Sequence, residues 1–425
     1  MNRKLPFVPH LKGIKAGVLA IAVAILSACQ HSPQKQLVTL RLSGWQSSPN
    51  EKQILETVIR EFEAQNPDIR VKYETINSEY MDVIKTRLIG DVAPDVFYLD
   101  ALEAPLLMKY NVLEPLNRYI TPKFNLGDFE PSLVQAFSYQ GKLYGLPKDF
   151  STLALIYNKK AFAAVGITAP PRTWETLLAD ARKLTVDRDG DGKIDQYGFG
   201  VAPELARQTF MMQAFGGQLI NSSGYAVFAS PSSLKGLRTV VNQYRRDRTS
   251  AQPTDVGATW GSEMLGQEKA AMVIEGAWAI PYFKETFPKL EFATAEVPTV
   301  NEKQGTMSYT VAYVMNRQSQ HKAAAWKLIA FLTGKQGMKA WAKQGLALPA
   351  RRSLLSELGY SKNPLYAPFV RGASYATIWQ AGENLPIIRT NFNNQFISTL
   401  LGEQPLETAM GKAQETANRE IYLSN

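Results

Sequence analysis

Val38, Leu40 and Leu42 alternate with polar residues, the two-residue period of a strand with one buried face. Ser43-Gly44-Trp45 ends that strand. Ser48-Pro49-Asn50-Glu51 has the form of a capping box with proline at the first helical position. Ile54, Leu55, Val58, Ile59 and Phe62 follow at helical spacing, and Asn66-Pro67 stops the helix. Ile69, Val71 and Tyr73 then alternate as a second strand. This strand–helix–strand order predicts the start of an α/β lobe. A helix is expected over 81–88 and a short buried strand over 96–99. A second unit begins with an apolar strand over 153–157, followed by a helix with Thr173 as its N-cap and Trp174, Leu177, Leu178 and Leu184 on it. Further strands are expected over 271–274 and 311–315, a helix over 323–332 with Gly334 as its C-cap, and mostly helix over 394–421.

Three of the strands end alike: Leu42 precedes Gly44-Trp45, Leu99 precedes Asp100, and Ile274 precedes Gly276 and Trp278. In open α/β sheets ligands bind outside the carboxyl ends of strands. An aromatic or acidic residue waiting at three such ends points to a binding cleft.

The chain has 425 residues, 45% hydrophobic and 20% charged, an ordinary globular composition. At roughly 150 residues per domain it accommodates two or three cores. One cysteine excludes an intrachain disulfide and a cysteine zinc site. The three histidines, His10, His31 and His321, work against Ser-His-Asp and Cys-His chemistry. Of the net charge of +9, four units come from Arg3, Lys4, Lys12 and Lys15. The remainder needs no nucleic-acid partner.

Those four basic residues precede or open a short apolar run over 17–26, below the roughly 20 residues of a membrane span. The run ends in Leu26-Ser27-Ala28-Cys29, which resembles the lipobox of bacterial lipoproteins. Residues 1–28 are therefore expected to be a signal peptide, Cys29 the lipidated residue and residues 29–36 a polar tether. The expected place is the periplasm or extracytoplasmic face, lipid-anchored to the membrane.

Six segments, taken in order, carry a wider resemblance: FEAQNPDIRVKY (62–73), APDVFYLD (93–100), GKLYGLPKDFSTLALIYNKKAF (141–162), TWETLLADARKLT (173–185), EKAAMVIEGAWAI (268–280) and AAAWKLIAFLTGKQGMKAWAKQGLALPARRS (323–353). The chain resembles the maltose-binding-protein-like extracytoplasmic solute-binding proteins of bacterial sugar ABC transporters. The resemblance implies a two-lobed, type II-like periplasmic-binding-protein fold whose lobes close on a ligand. It places the first lobe at 37–148 and 301–346, the second at 153–297 and 353–425, and crossings near 147–153, 297–300 and 346–352. It also implies a monomer, a permease as partner and no enzymatic activity. Where many relatives have a Gly-rich stretch, this chain has the bulkier Gly305-Thr306-Met307-Ser308-Tyr309.

A sugar needs aromatic plates for its C–H faces and charged or amide groups for its hydroxyls. Trp174, Trp326 and Trp341 read as core on their helical, apolar neighbourhoods, whereas Trp45 and Trp278 stand beside glycine at strand ends. Trp260 and Trp379 complete the aromatic candidates, the second placed near the cleft by the resemblance. Tyr98, Asp100, Asp149, Glu275, Tyr309 and Arg351 are the polar candidates, against the plainer reading of lobe-to-lobe ion pairs. A separate loop carries Asp187, Asp189, Asp191 and Asp195, with Gly192 at the sixth position and Lys193 able to offer its carbonyl, the start of a calcium loop. Its twelfth position is Gly198 instead of glutamate, so the expectation is a structural calcium completed elsewhere, against an Asp/Gly surface turn. The expected activity is capture of a di- or oligosaccharide or a glycosyl-polyol. The alternatives are a receptor for a glycerol phosphodiester or other polyol or anionic solute, and a glycoside hydrolase with two carboxylates across a cleft.

Overall fold

A computed structural model describes residues 37–46, 49–343 and 345–424. The signal peptide, Cys29, the tether and Ser48 lie outside the described residues. The strands are β1 (Val38–Gly44), β2 (Ile69–Thr75), β3 (Val96–Asp100), β4 (Ser138–Tyr139), β5 (Lys142–Leu143), β6 (Gly145–Asn158), β7 (Phe199–Gly200), β8 (Ser250–Ala251), β9 (Met272–Gly276), β10 (Phe292–Ala295), β11 (Thr306–Met315), β12 (Leu348–Pro349) and β13 (Ala376–Ile378). β4 and β5 form a small hairpin; the others hydrogen-bond in the order β2-β1-β3-β11-β6-β9-β7-β8, with β10 and β12 on β6 and β13 on β11.

The order shows the two lobes. β1 to β3 run parallel, joined through the helices Pro49–Gln65 and Tyr80–Ile89. Leu55, Val58, Ile59 and Phe62 are buried, as their spacing predicts. In the second lobe β7 runs parallel to both β8 and β9. There Thr173 caps the helix Trp174–Leu184 by accepting the Thr176 N–H, and Trp174, Leu177, Ala181 and Leu184 form its buried face. Each buried leucine contributes roughly 1.5–3 kcal/mol, and the cap about 1 kcal/mol. Gly334 does not end the helix Lys322–Leu332: Thr333 is that C-cap, and Gly334 opens the next helix, Lys335–Ala342. The C-terminal stretch is an antiparallel pair of helices, Leu385–Leu401 and Leu406–Ser424.

β6 is long enough to serve both lobes. Its residues 145–152 pair with β11 and β12, and its residues 153–158 pair with β9 and β10. Hydroxyls fasten the changeover: Thr310 Oγ1 donates to Asp149 O, Thr306 Oγ1 to Leu153 O, and Thr152 Oγ1 to Phe369 O. The second and third crossings come later than the segments expected for them. Residues 297–303 stay with the second lobe, where Thr299 bridges Thr173 and Asn301 Nδ2 donates to Ala214 O. The change of partners falls inside β11. Residues 346–360 stay with the first lobe: β12 lies on β6, Glu130 N donates to Ala350 O, and Tyr360 OH donates to Ala342 O. Contact with the second lobe resumes where Thr294 Oγ1 donates to Leu365 O and Arg371 pairs with Glu296.

Candidate functional site

The first-lobe wall of the cleft grows from the carboxyl ends of β1 and β3. Gly44 is obligatory in this packing, because a Cβ there would meet the Tyr98 ring at 2.7 Å. The next residue, Trp45, stands edge-on to Tyr80 (5.0 Å between centroids) and to Tyr98 (5.3 Å). Tyr80 OH donates to Ser43 O and accepts from Tyr98 N, tying the ends of β1 and β3 together. Tyr98 itself is buried behind Trp45, packed also on Tyr313. Asp100 ends β3, and one of its carboxylate oxygens accepts the Leu102 N–H. Burial pushes its pKa up to about 6; the Leu102 N–H and Arg389 oppose that shift and Glu103 adds to it.

The second-lobe wall has a charged foundation. Arg207 donates to Glu275 at 2.6 Å and to Glu204 at 2.5 Å. Glu275 is 1% exposed, and burial pushes its pKa up against the pull of Arg207. Tyr309 faces this group; burial raises its pKa, and its OH has no hydrogen-bond partner among the described residues. Trp278 packs edge-on to Tyr309 at 5.7 Å, over a Gly276 that leaves no room for a Cβ. Trp379 N donates to Ser308 O, which fixes that tryptophan beside β11.

Between the walls lies a cleft of about 570 Å³, bounded by Trp45, Tyr80 and Asp100 on one side and Glu204, Trp379 and Arg389 on the other. An adjoining hollow of about 220 Å³ at its base shares Trp45, Asp100 and Tyr309 and adds Lys148, Asp149, Trp278 and Trp341. The base depends on a β-bulge: Val311 pairs with Asp149 and Ala312 with Pro147, so Lys148 is the extra residue. Proline is tolerated at a bulge, and the bulge re-aims the following side chain. Lys148 Nζ pairs with Asp149 and sits 3.8 Å from the Trp341 ring centroid. Asp149 also accepts from Trp341 Nε1 at 2.8 Å, so this buried charge is neutralised and hydrogen-bonded.

Of the residues singled out from the sequence, the structure brings Trp45, Asp100, Asp149, Trp278, Tyr309 and Trp379 to the cleft or its base. Tyr98 and Glu275 stand one layer behind. Trp260 packs on Tyr282, outside both hollows. Arg351 is 2% exposed and is consumed by the Phe124, Asn125 and Thr333 carbonyls and by Asp128, which fasten the first lobe. Tyr80, Lys148, Glu204, Arg207 and Arg389 were not foreseen. In the acidic loop, Asp187, Asp189 and Asp195 bring carboxylate oxygens within 4.8 Å of one another. Asp187 accepts the Gly190 and Gly192 N–H groups, Asp195 accepts that of Arg188, and Asp191 turns to Lys193.

Residues 47–339 match the bacterial extracellular solute-binding protein family, and the chain belongs to it. A binding protein of Brucella abortus is 25% identical over 89% of this chain and 92% of its own length. The maltotriose-binding protein of Pyrococcus abyssi is 24% identical over 77% of this chain and 70% of its own length. Among solved structures, an ABC substrate-binding protein from Listeria monocytogenes in complex with cycloalternan superimposes with a TM-score of 0.82, at 22% identity, over 90% of this chain and 99% of that one. The two-lobed fold is thereby shared, and the family places the protein outside the cytoplasm. No helix among the described residues is long and apolar enough to cross a membrane.

Proposed function

We propose that the protein captures a di- or oligosaccharide, or a glycosyl-polyol, in the cleft between its lobes and delivers it to the permease of an ABC transporter. The observation that carries this reading is the meeting in one cleft of two tryptophans, Trp45 and Trp379, with carboxylates, Asp100 and Glu204. Stacking on sugar faces and charge-assisted bonds to hydroxyls need both groups. A ligand that touches both walls gains contacts only when the lobes close, and that difference drives closure. The relatives named for maltotriose and cycloalternan support an oligosaccharide. The cleft lining carries Glu79, Asp82, Asp100, Glu103 and Glu204 against a single guanidinium, Arg389. That balance favours a neutral sugar over an anionic solute. Anchoring through a lipid on Cys29 and a monomeric state belong to the same reading.

Thermal unfolding against a panel of mono-, di- and oligosaccharides tests it. A ligand at one hundred times its dissociation constant adds about 2.7 kcal/mol of stability. One class should raise the melting temperature, Trp45→Ala should blunt that rise, and the ligand should be recovered intact. Turnover of the sugar, or no response to any carbohydrate, would defeat the proposal.

A further inference from the structure

The cleft opens at the carboxyl ends of the second-lobe strands: β7 leads to Glu204 and β9 to Trp278. Tyr197, Arg248 and Lys269 precede β7, β8 and β9, at the opposite ends of these parallel strands. There a second groove, of about 790 Å³, runs along the lobe. Four of its lining residues are cations, Lys193, Arg245, Arg248 and Lys269, and one is an acid, Asp255. Asp255 is already engaged, accepting from Tyr244 OH at 2.7 Å and from Gln252 N at 2.8 Å. Among the described residues the side chains of Arg248 and Lys269 make no hydrogen bond or ion pair.

A second observation is independent of this charge. Ser250 lines the same groove, is 3% exposed, and its hydroxyl oxygen has no hydrogen-bond partner among the described residues. Buried hydroxyls are almost always paired, so one left without a partner in a groove that two unpaired cations also line marks a place for an acceptor. A planar fork, a point charge and a hydroxyl donor together suit a tetrahedral oxyanion, whose oxygens accept from several directions.

We propose that this distal groove is a phosphate-ester site, separate from the cleft, with Arg248 and Lys269 as its charge partners and the Ser250 hydroxyl as a third donor. The phosphate comes either from a soluble ester or from a phospholipid headgroup, and the chemistry of recognition is the same for both.

The test uses the full chain and the Arg248→Glu/Lys269→Glu variant in parallel. Calorimetry with inorganic phosphate and with glycerol phosphate reads the soluble source. Flotation with phosphatidylcholine vesicles, with and without phosphatidylglycerol, reads the lipid source. The double variant should bind at least about tenfold more weakly in whichever arm is occupied, and Ser250→Ala about threefold more weakly. Added salt should weaken binding, because the cations are open to water. Unchanged thermal unfolding of the double variant shows that it has folded. Saturable phosphate binding lost in the variant supports the soluble source. Extra flotation with phosphatidylglycerol that glycerol phosphate competes away, and that the variant lacks, supports the headgroup. Absence of both, or binding that survives the double charge reversal, overturns the proposal.

Discussion

The two walls of the cleft are built on opposite principles. The first-lobe wall has an aromatic foundation, edged by the carboxylates of Glu79, Asp82, Asp100 and Glu103: Trp45, Tyr80 and Tyr98 pack edge to face, and the Tyr80 hydroxyl serves two backbone groups. The second-lobe wall rests on Arg207 held between Glu204 and Glu275, with Tyr309 facing that group and Trp278 packed on Tyr309. Aromatic packing draws its strength from buried area and tolerates a change of pH. An ion group in low dielectric depends on every member being present and charged. The first wall thus rests on packed aromatic rings, and the second on a buried ion group.

Four single substitutions, one of them extended by a second change, sharpen or break this contrast. Arg207→Ala should have the largest effect, a loss of about 3–5 kcal/mol in chemical denaturation, because it strands the Glu275 carboxylate. Adding Glu275→Gln should recover part of it; full tolerance of Arg207→Ala alone would erase the difference between the walls. Asp100→Asn should act in the opposite sense. The folded carboxyl keeps its proton up to about pH 6, against an ordinary value of 3.8, so the wild type is favoured below both values and loses stability as pH rises through 6. The variant should therefore be more stable at pH 7.5, by at most about 3 kcal/mol, with the gap closing toward pH 4 in thermal scans. Tyr80→Phe should cost about 1–3 kcal/mol by leaving the Ser43 carbonyl and the Tyr98 N–H unpaired. Trp45→Ala should weaken the bound sugar about tenfold, through lost stacking, with little change in the pH dependence. A pH-dependent Trp45→Ala phenotype would show that the two walls are not separable.

The first wall was also the more legible one. Trp45 and Asp100 stand where regular strands stop, and alternation before the first and a continuous apolar run before the second find those ends. The strand–helix–strand opening and the Thr173 cap follow from local pattern in the same way. Arg207 gave no local sign: it sits in an ordinary helix, and its partner Glu275 is 68 residues away. Lys148 reaches the cleft base only because of a bulge, a property of pairing with β11 that β6 does not announce by itself. Arg351 shows the converse. Its neighbours match the family pattern, but a guanidinium 2% exposed, with three carbonyls and a carboxylate around it, has four of its five N–H donors engaged within the first lobe. The second crossing fell later than expected because Thr306 and Ser308 pair with β13, a contact with residues not reached until 376–378.

The strand order also governs when the chain can fold. In the first-lobe sheet β11 is inserted between β3 and β6, and it is supplied by residues 306–315. A nascent chain therefore carries the whole of β1, β2, β3 and β6 while the facing edges of β3 and β6 lack their shared neighbour. Such non-local pairing makes folding slow and leaves unpaired edges exposed meanwhile. Ribosome-bound fragments ending before residue 306 should thus be protease-sensitive in the first lobe, and the second lobe should gain full protection only once the helices Leu385–Leu401 and Leu406–Ser424, which supply part of its core, have emerged. Each half is completed late, the first by an interposed strand and the second by the C-terminal helices.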